Sequence, residues 1–286
     1  MSPAEQQLNP HVADDFNMQI ALPETIDFVQ LPYSTITGKL SRFLARNVVT
    51  KKLTMRNARP LVSFTFDDAA ASACSAGVIL LEQHQARGTY YISGGKSGAL
   101  SPTGRLAGAD EIKAVHARGH EIGCHTYSHS PVGAISQGAL DADLERNHRF
   151  LKGIHGEIAV RNFAYPYGYM SFMRKHHLGK RFDSCRSLTF GVNAGDVDLG
   201  ALKSCALESV SIDRQTISKL IAETVRRNGW LLFASHDVAD EPSKYGVQPE
   251  LLTFALRSAR EAGCDLVTVS RALQLIAGET DGKQAP

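Results

Sequence analysis

An apolar run, Leu61 to Phe66 (LVSFTF), ends in two adjacent carboxylates, Asp67 and Asp68. Neighbouring side chains on extended backbone point in different directions, so the two acids can serve different partners, one a metal and the other a water. Further on, Gly119-His120-Glu121-Ile122-Gly123-Cys124 leads into His125-Thr126-Tyr127-Ser128-His129. The interval between His125 and His129 is metal-ligand spacing if the segment makes a helical turn, which would put both imidazoles on one face. In Phe163-Ala164-Tyr165-Pro166-Tyr167-Gly168, a proline without an N–H stiffens the turn, so the N–H of Tyr167 can be fixed toward a ligand. Finally, Trp230-Leu231-Leu232-Phe233-Ala234-Ser235 ends in His236-Asp237, an apolar approach with an imidazole at its tip that suits a general acid. Taken singly, each has an ordinary explanation: a turn or cap, a chance pair among 11 histidines, a Pro-Tyr-Gly turn, a structural histidine.

The elements that must hold these groups alternate regularly from Leu61 onward. Strands are expected at Leu61 to Phe66, Thr89 to Ser93, Glu121 to Cys124, Ile158 to Tyr165, Phe182 to Ser187, Trp230 to Ser235 and Asp265 to Val269. Helices fit between them: one from an N-cap at Ser136 to Gly153 with Leu140, Leu144 and Leu151 on a stripe, one from Asp213 to Gly229 with Ile217, Leu220, Ile221 and Val225, and one beginning at Pro249. Such repetition implies parallel pairing with right-handed crossovers, and about seven units close into a barrel more easily than they stay open. All four motifs then fall at C-terminal strand ends, where parallel α/β folds build their sites. Residues 1–59, with Pro3, Pro10, Pro23 and Pro32 and a basic stretch from Lys39 to Arg59 containing a short helix around Leu40 to Val49, read as an N-terminal extension packed on a catalytic domain of residues 60–286.

In this order the four motifs resemble the polysaccharide deacetylase family, carbohydrate esterases with a NodB-homology domain. The resemblance runs from about Leu61 to Ala272 and rests on TFDD (Thr65 to Asp68), HTYSH (His125 to His129), AYPYG (Ala164 to Gly168) and ASHD (Ala234 to Asp237). It implies a distorted (β/α)7 barrel. It also implies that Asp68, His125 and His129 hold one divalent ion, zinc or a comparable metal, that Asp67 is the base, that the Tyr167 N–H serves the oxyanion, and that His236 is the acid. Such a set removes an N-acyl group, typically N-acetyl, from an amino sugar or glycan precursor by metal-assisted attack of water.

Two positions depart from the family's pattern. Ala69 stands where glycine usually follows the aspartate pair. Ala164 stands where an arginine usually pairs with the base. Of the nearby arginines, Arg161 lies on the opposite strand face from Ala164, whereas Arg186, toward the end of the next strand, can reach the common mouth. Arg186 is therefore expected beside Asp67, fixing its orientation through a planar, permanently charged fork.

Bulk properties narrow the partners. With Lys plus Arg at 31 and Asp plus Glu at 29, nothing favours nucleic acid or an anionic membrane; a glycan or small amide fits better. No apolar run has membrane-spanning length, the start lacks the order of a secretory signal, and the expected compartment is the cytoplasm. Five scattered cysteines form no CxxC pair, so neither a disulfide framework nor a zinc ribbon is expected. A peptidase site lacks its HExxH, and the His236-Asp237 dyad of helical phosphohydrolases sits in a strand-rich chain. An inactive binding scaffold and an amidase for a non-sugar amide are the alternatives.

Overall fold

Strand-forming runs buried on both faces must be covered on both sides, and here they assemble into one curled parallel sheet. The computed structural model describes residues 36–278. In chain order these form α1 (Ile36–Asn47), β1 (Lys52–Thr54), β2 (Leu61–Asp67), α2 (Val78–Gln83), β3 (Thr89–Ile92), a ribbon of β4 (Leu100–Ser101) and β5 (Gly104–Arg105), α3 (Ala109–Ala117), β6 (Glu121–Cys124), α4 (Gln137–Ile154), β7 (Asn162–Ala164), α5 (Phe172–Arg181), β8 (Ser184–Arg186), β9 (Asp196–Asp198), β10 (Cys205–Ala206), α6 (Arg214–Arg226), β11 (Trp230–Ser235), α7 (Pro249–Glu261), β12 (Asp265–Leu266) and α8 (Val269–Ile276). The sheet runs β10-β11-β2-β3-β6-β7-β8, all parallel. Strand β12 pairs with the start of β2, leaving its end to β3. Just before β10, Leu202 makes a parallel bridge to Arg186 of β8, linking the two ends of the curl. The distorted (β/α)7 barrel expected from the motif order is the observed fold.

Every residue of β2 and β11 is buried, as central parallel strands require. Their polar side chains are satisfied within the sheet. Thr65 Oγ1 donates to the Phe233 carbonyl at 2.8 Å, and Trp230 Nε1 donates to Ser63 Oγ at 2.9 Å. The helices obey their sequence signals closely. Ser136 caps α4 by accepting from the Ala139 N–H, Asp213 caps α6 by accepting from Thr216, and Pro249 opens α7. Leu140, Leu144 and Leu151 form the buried stripe of α4, each contributing roughly 1.5–3 kcal/mol by burial.

Three local expectations are corrected. On α6 the buried stripe continues through Thr224 while Val225 is exposed, because Thr224 Oγ1 donates to the Leu220 carbonyl and so tolerates the core. The strand expected over Ile158 to Tyr165 is only Asn162–Ala164, since the chain is still turning after α4. The last expected strand stops at Leu266, where Thr268 turns to cap α8 by accepting from the Arg271 N–H. Two-residue β10 carries too little pattern to be expected at all.

Of the segment expected as an extension, residues 1–35 lie outside the described residues. Its remainder is joined to the barrel: α1 packs on α5, and β1 pairs antiparallel with β9. A buried lysine holds both. Lys175 Nζ donates to the carbonyls of Ala45 and Val48, each at 2.7 Å, and contacts Asp198 Oδ2 at 2.5 Å. Carbonyls at the C-terminal end of α1 and just beyond it thus receive a cation, which also suits the helix C-terminus. Lys175→Met should remove the cation and strand Asp198, lowering stability by about 3 kcal/mol. Denaturant unfolding checks the loss, and hydrogen exchange should speed up most over residues 36–54.

Candidate active site

The site collects at the C-terminal ends of β2, β6, β8 and β11 and in the turn after β7. Asp67 closes β2 and is 3% exposed. The chain then breaks sharply, with Asp68 and Ala69 at φ 57° and 49°. Positive φ is costly for residues with a Cβ, and it accounts for the glycine that the resembling family prefers where Ala69 stands. Thr126, His129 and Tyr167 are also left-handed, at φ 63°, 56° and 57°. Such residues cluster where a site over-determines its backbone.

The loop between His125 and His129 is not the helical turn that their spacing allowed. Two left-handed residues, Thr126 and His129, fold it instead, and the imidazoles still meet, with ring centroids 4.9 Å apart. Asp143 on α4 holds the loop by accepting the N–H groups of Tyr127 at 2.6 Å and Ser128 at 3.1 Å. His125 is buried and gives its Nδ1–H to the Ala164 carbonyl at 2.9 Å. A carbonyl can only accept, so Nε2 keeps its lone pair. Burial pushes His125 down to about 4 and His129 to about 3. Both rings are neutral at pH 7.

Donor atoms of Asp68, His125 and His129 lie within 4.8 Å of one another. His129 Nε2 stands 3.6 Å from Asp68 Oδ2, and with a neutral ring this contact is two ligand atoms facing one point. Asp68 Oδ1 is buried without a hydrogen-bond partner among the described residues. An unpaired buried carboxylate oxygen is expensive, and two neutral imidazoles beside it bring no positive charge to balance the carboxylate. The residues therefore fit a divalent cation, and the backbone-anchored His125 has the outer contact usual for a metal-bound imidazole.

Arg186 meets the geometric requirement placed on it. It is 0% exposed, and its Nη2 donates to Asp67 Oδ1 at 2.5 Å and also contacts Oδ2. The fork expected from two nitrogens is corrected: Nη2 alone spans the carboxylate, while Nε and Nη1 have no partner among the described residues. The aromatic face of Tyr91 lies 5.4 Å from the guanidinium carbon, close enough for a favourable cation–π contact. Arg186 is in register with Ala164 on the adjacent strand. The cation thus enters from one strand over, at the same level. Arg161, as expected, faces outward and pairs with Asp183 at 2.5 Å. Burial would raise the Asp67 pKa, yet Arg186, followed by His125 and His236, holds it below the ordinary carboxylate value.

Tyr167 sits in a single 3₁₀ turn whose hydrogen bonds come from Gly168 to Tyr165 and from Tyr169 to Pro166. The Tyr167 N–H is used in neither. Its ring packs on His129 at a centroid distance of 4.5 Å, and burial, then Asp68, raises the phenol's pKa. His236 follows β11 with its N–H donated to the Tyr245 carbonyl at 3.2 Å and its ring 5.4 Å from that of Tyr245. The structure therefore brings Asp67, Asp68, His125, His129, Tyr167, Arg186 and His236 to one mouth. Sequence reasoning missed Asp143 and Tyr245. Asp143 lies four residues after Ala139 on an ordinary helix face and carries no signal; Tyr245 belongs to a loop whose return to His236 only the fold creates.

Fold and site together define a class, a parallel (β/α)7 barrel whose mouth sets an Asp-His-His triad able to hold a metal beside a buried, arginine-held carboxylate. Residues 54–175 match the sequence profile of the polysaccharide deacetylase family. Among solved structures it is similar to the Bc1960 peptidoglycan N-acetylglucosamine deacetylase, with 16% identity, TM-score 0.57, and coverage of 81% of this chain and 96% of that one. It is also similar to a family 4 acetyl xylan esterase from Clostridium thermocellum in complex with a cobalt ion, with 21% identity, TM-score 0.53, and 75% and 91% coverage. A third is a pseudoenzyme of the same family from Bacillus anthracis, with 14% identity, TM-score 0.52, and 76% and 66% coverage. At such identities the likeness is one of fold. No curated protein matches the sequence.

Arg186→Ala should leave the three metal-ligand side chains in place but let burial dominate Asp67. Its pKa then rises, so the acidic limb of the pH–rate profile should move to higher pH, and turnover at pH 7 should fall by about 10²-fold or more. Steady-state kinetics across pH with metal content measured in parallel check this; an unmoved acidic limb contradicts it.

Proposed function

We propose that this protein is a metal-dependent hydrolase that removes an N-acetyl group from an amino sugar or glycan precursor. The observation that carries the reading is the division of labour between adjacent acids: Asp67 faces a buried guanidinium, whereas Asp68 faces two neutral imidazoles. A divalent ion held by Asp68, His125 and His129, zinc or a comparable metal, would polarise the amide carbonyl and make water more acidic. Asp67, kept ionised by Arg186, takes a proton from the attacking water. The Tyr167 N–H donates to the oxygen that gains negative charge as the carbonyl carbon becomes tetrahedral. When the C–N bond breaks, His236 gives its proton to nitrogen, because an amine anion is too basic to leave. Acetate and a free amine result, and the proton on Asp67 returns to solvent while His236 regains one.

Four motifs specify a reaction centre and leave the acyl acceptor open. Metal-loaded protein should release acetate from at least one N-acetylated amino sugar or nucleotide-linked sugar. Release only from simple non-sugar amides would favour the amidase reading, and no release from either would favour an inactive scaffold. A cytoplasmic location belongs to the same proposal and predicts precursors over mature polymer as substrates; native protein found outside the inner membrane would reverse that preference.

The two acids can be separated by mutation. His129→Ala should lose one equivalent of metal and most turnover while staying folded, since the side chain sits at a mouth outside the core. Asp67→Asn should keep all metal and lose turnover by roughly 10²–10⁴-fold. Elemental analysis and acetate release check both, and equal metal loss in the two variants would show the roles wrongly divided.

A further inference from the structure

Away from the mouth, a second set of ligand side chains converges: the donor atoms of His116, His155 and Glu157 lie within 4.8 Å of one another. His116 is in the last turn of α3, His155 is the residue at which α4 ends, and Glu157 follows two positions later. Helix α3 leads into β6 and α4 leads toward β7, so both helix ends lie at the N-terminal edge of the sheet, opposite the strand ends that carry the active site. The two helices pack against each other. Their C-terminal carbonyls each present about half a negative charge, which favours a cation there.

The side chains at this junction make the cation's kind specific. The rings of His116 and His155 have centroids 5.3 Å apart at an interplanar angle of 54°, tilted so that they do not stack face to face. Glu157 is exposed and its backbone N–H approaches His155 Nδ1 at 3.4 Å, which draws the turn around the imidazole. Lys152, the nearby cation of α4, is engaged with the Gly156 carbonyl at 2.8 Å and is not paired with Glu157. Two imidazoles with one carboxylate suit zinc, cobalt, nickel or copper and suit magnesium or calcium poorly. We propose that His116, His155 and Glu157 form a second divalent transition-metal site that clips the ends of α3 and α4 together. Its role is structural, since an ion that binds the folded chain alone stabilises it by mass action.

Full-length protein stripped with chelator, reloaded with Zn²⁺ and passed through gel filtration should carry two zinc ions per chain. His116→Ala and, separately, the exposed Glu157→Gln should carry one, with acetate release retained. In an Asp68→Asn background, which weakens the mouth, added Zn²⁺ should still raise the thermal midpoint, and His116→Ala should abolish that rise. Unchanged zinc content in both His116→Ala and Glu157→Gln overturns the proposal, as does a zinc-dependent thermal rise that His116→Ala leaves intact. Failure of the hydrolase reading would lower the total in every variant alike, so the zinc lost on His116→Ala still reads this site by itself.

Discussion

A carboxylate and a guanidinium, both out of water, govern this barrel mouth. Asp67 and Arg186 are 3% and 0% exposed, and removing either alone would leave an uncompensated buried charge, typically a cost of about 3–5 kcal/mol. The pair is also topological. Asp67 ends β2 and Arg186 ends β8, strands separated by β3, β6 and β7 in the sheet order, so their contact crosses the inside of the curl. With the Arg186–Leu202 bridge, it ties the mouth from within and along the rim. Asp67 is thereby aimed, and its neighbour on the chain is left to face the imidazoles.

That arrangement explains why one strand end can host two acids of opposite task. The left-handed turn at Asp68 and Ala69 ends the strand there, so Asp68 is placed by the turn and not by strand alternation. Around Asp68 the nearest side chains are uncharged, with burial keeping both imidazoles unprotonated and an oxygen of Asp68 lacking a partner among the described residues. Around Asp67 a permanent cation overrides the effect of burial. Two adjacent aspartates thus acquire, in the proposed reading, the separate parts of ligand and base from their neighbours alone.

Much of this was legible in the sequence where local chemistry decides structure. Capping by Ser136 and Asp213, the proline opening α7, and the apolar runs of β2 and β11 need no tertiary help. Arg186 was legible for a stricter reason: side-chain alternation removed Arg161, and convergence of strand ends left Arg186. Where spacing has more than one structural solution, reading failed. An i to i+4 interval suits a helical turn, yet His125 and His129 are brought together by two left-handed residues and by Asp143 from a helix whose place the local sequence cannot reveal. Thr224 displaced Val225 from the α6 stripe because a hydroxyl bonded within its own helix can be buried. Lys175, a charged residue on a helix, looks solvent-exposed until Asp198 and the end of α1 close over it.

Moving the cation between strands tests the central claim most directly. Ala164 and Arg186 are registered neighbours sharing a strand face, so an arginine at position 164 should reach the carboxylate that Arg186 now holds. The measurement is turnover against pH for Arg186→Ala and for Arg186→Ala combined with Ala164→Arg, both confirmed folded and equal in metal content. If a guanidinium beside Asp67 is what keeps the base ionised, the double variant recovers at least about 10-fold of the lost turnover and its acidic limb returns to lower pH. A folded, metal-loaded double variant no faster than Arg186→Ala, with the same acidic limb, would contradict the account.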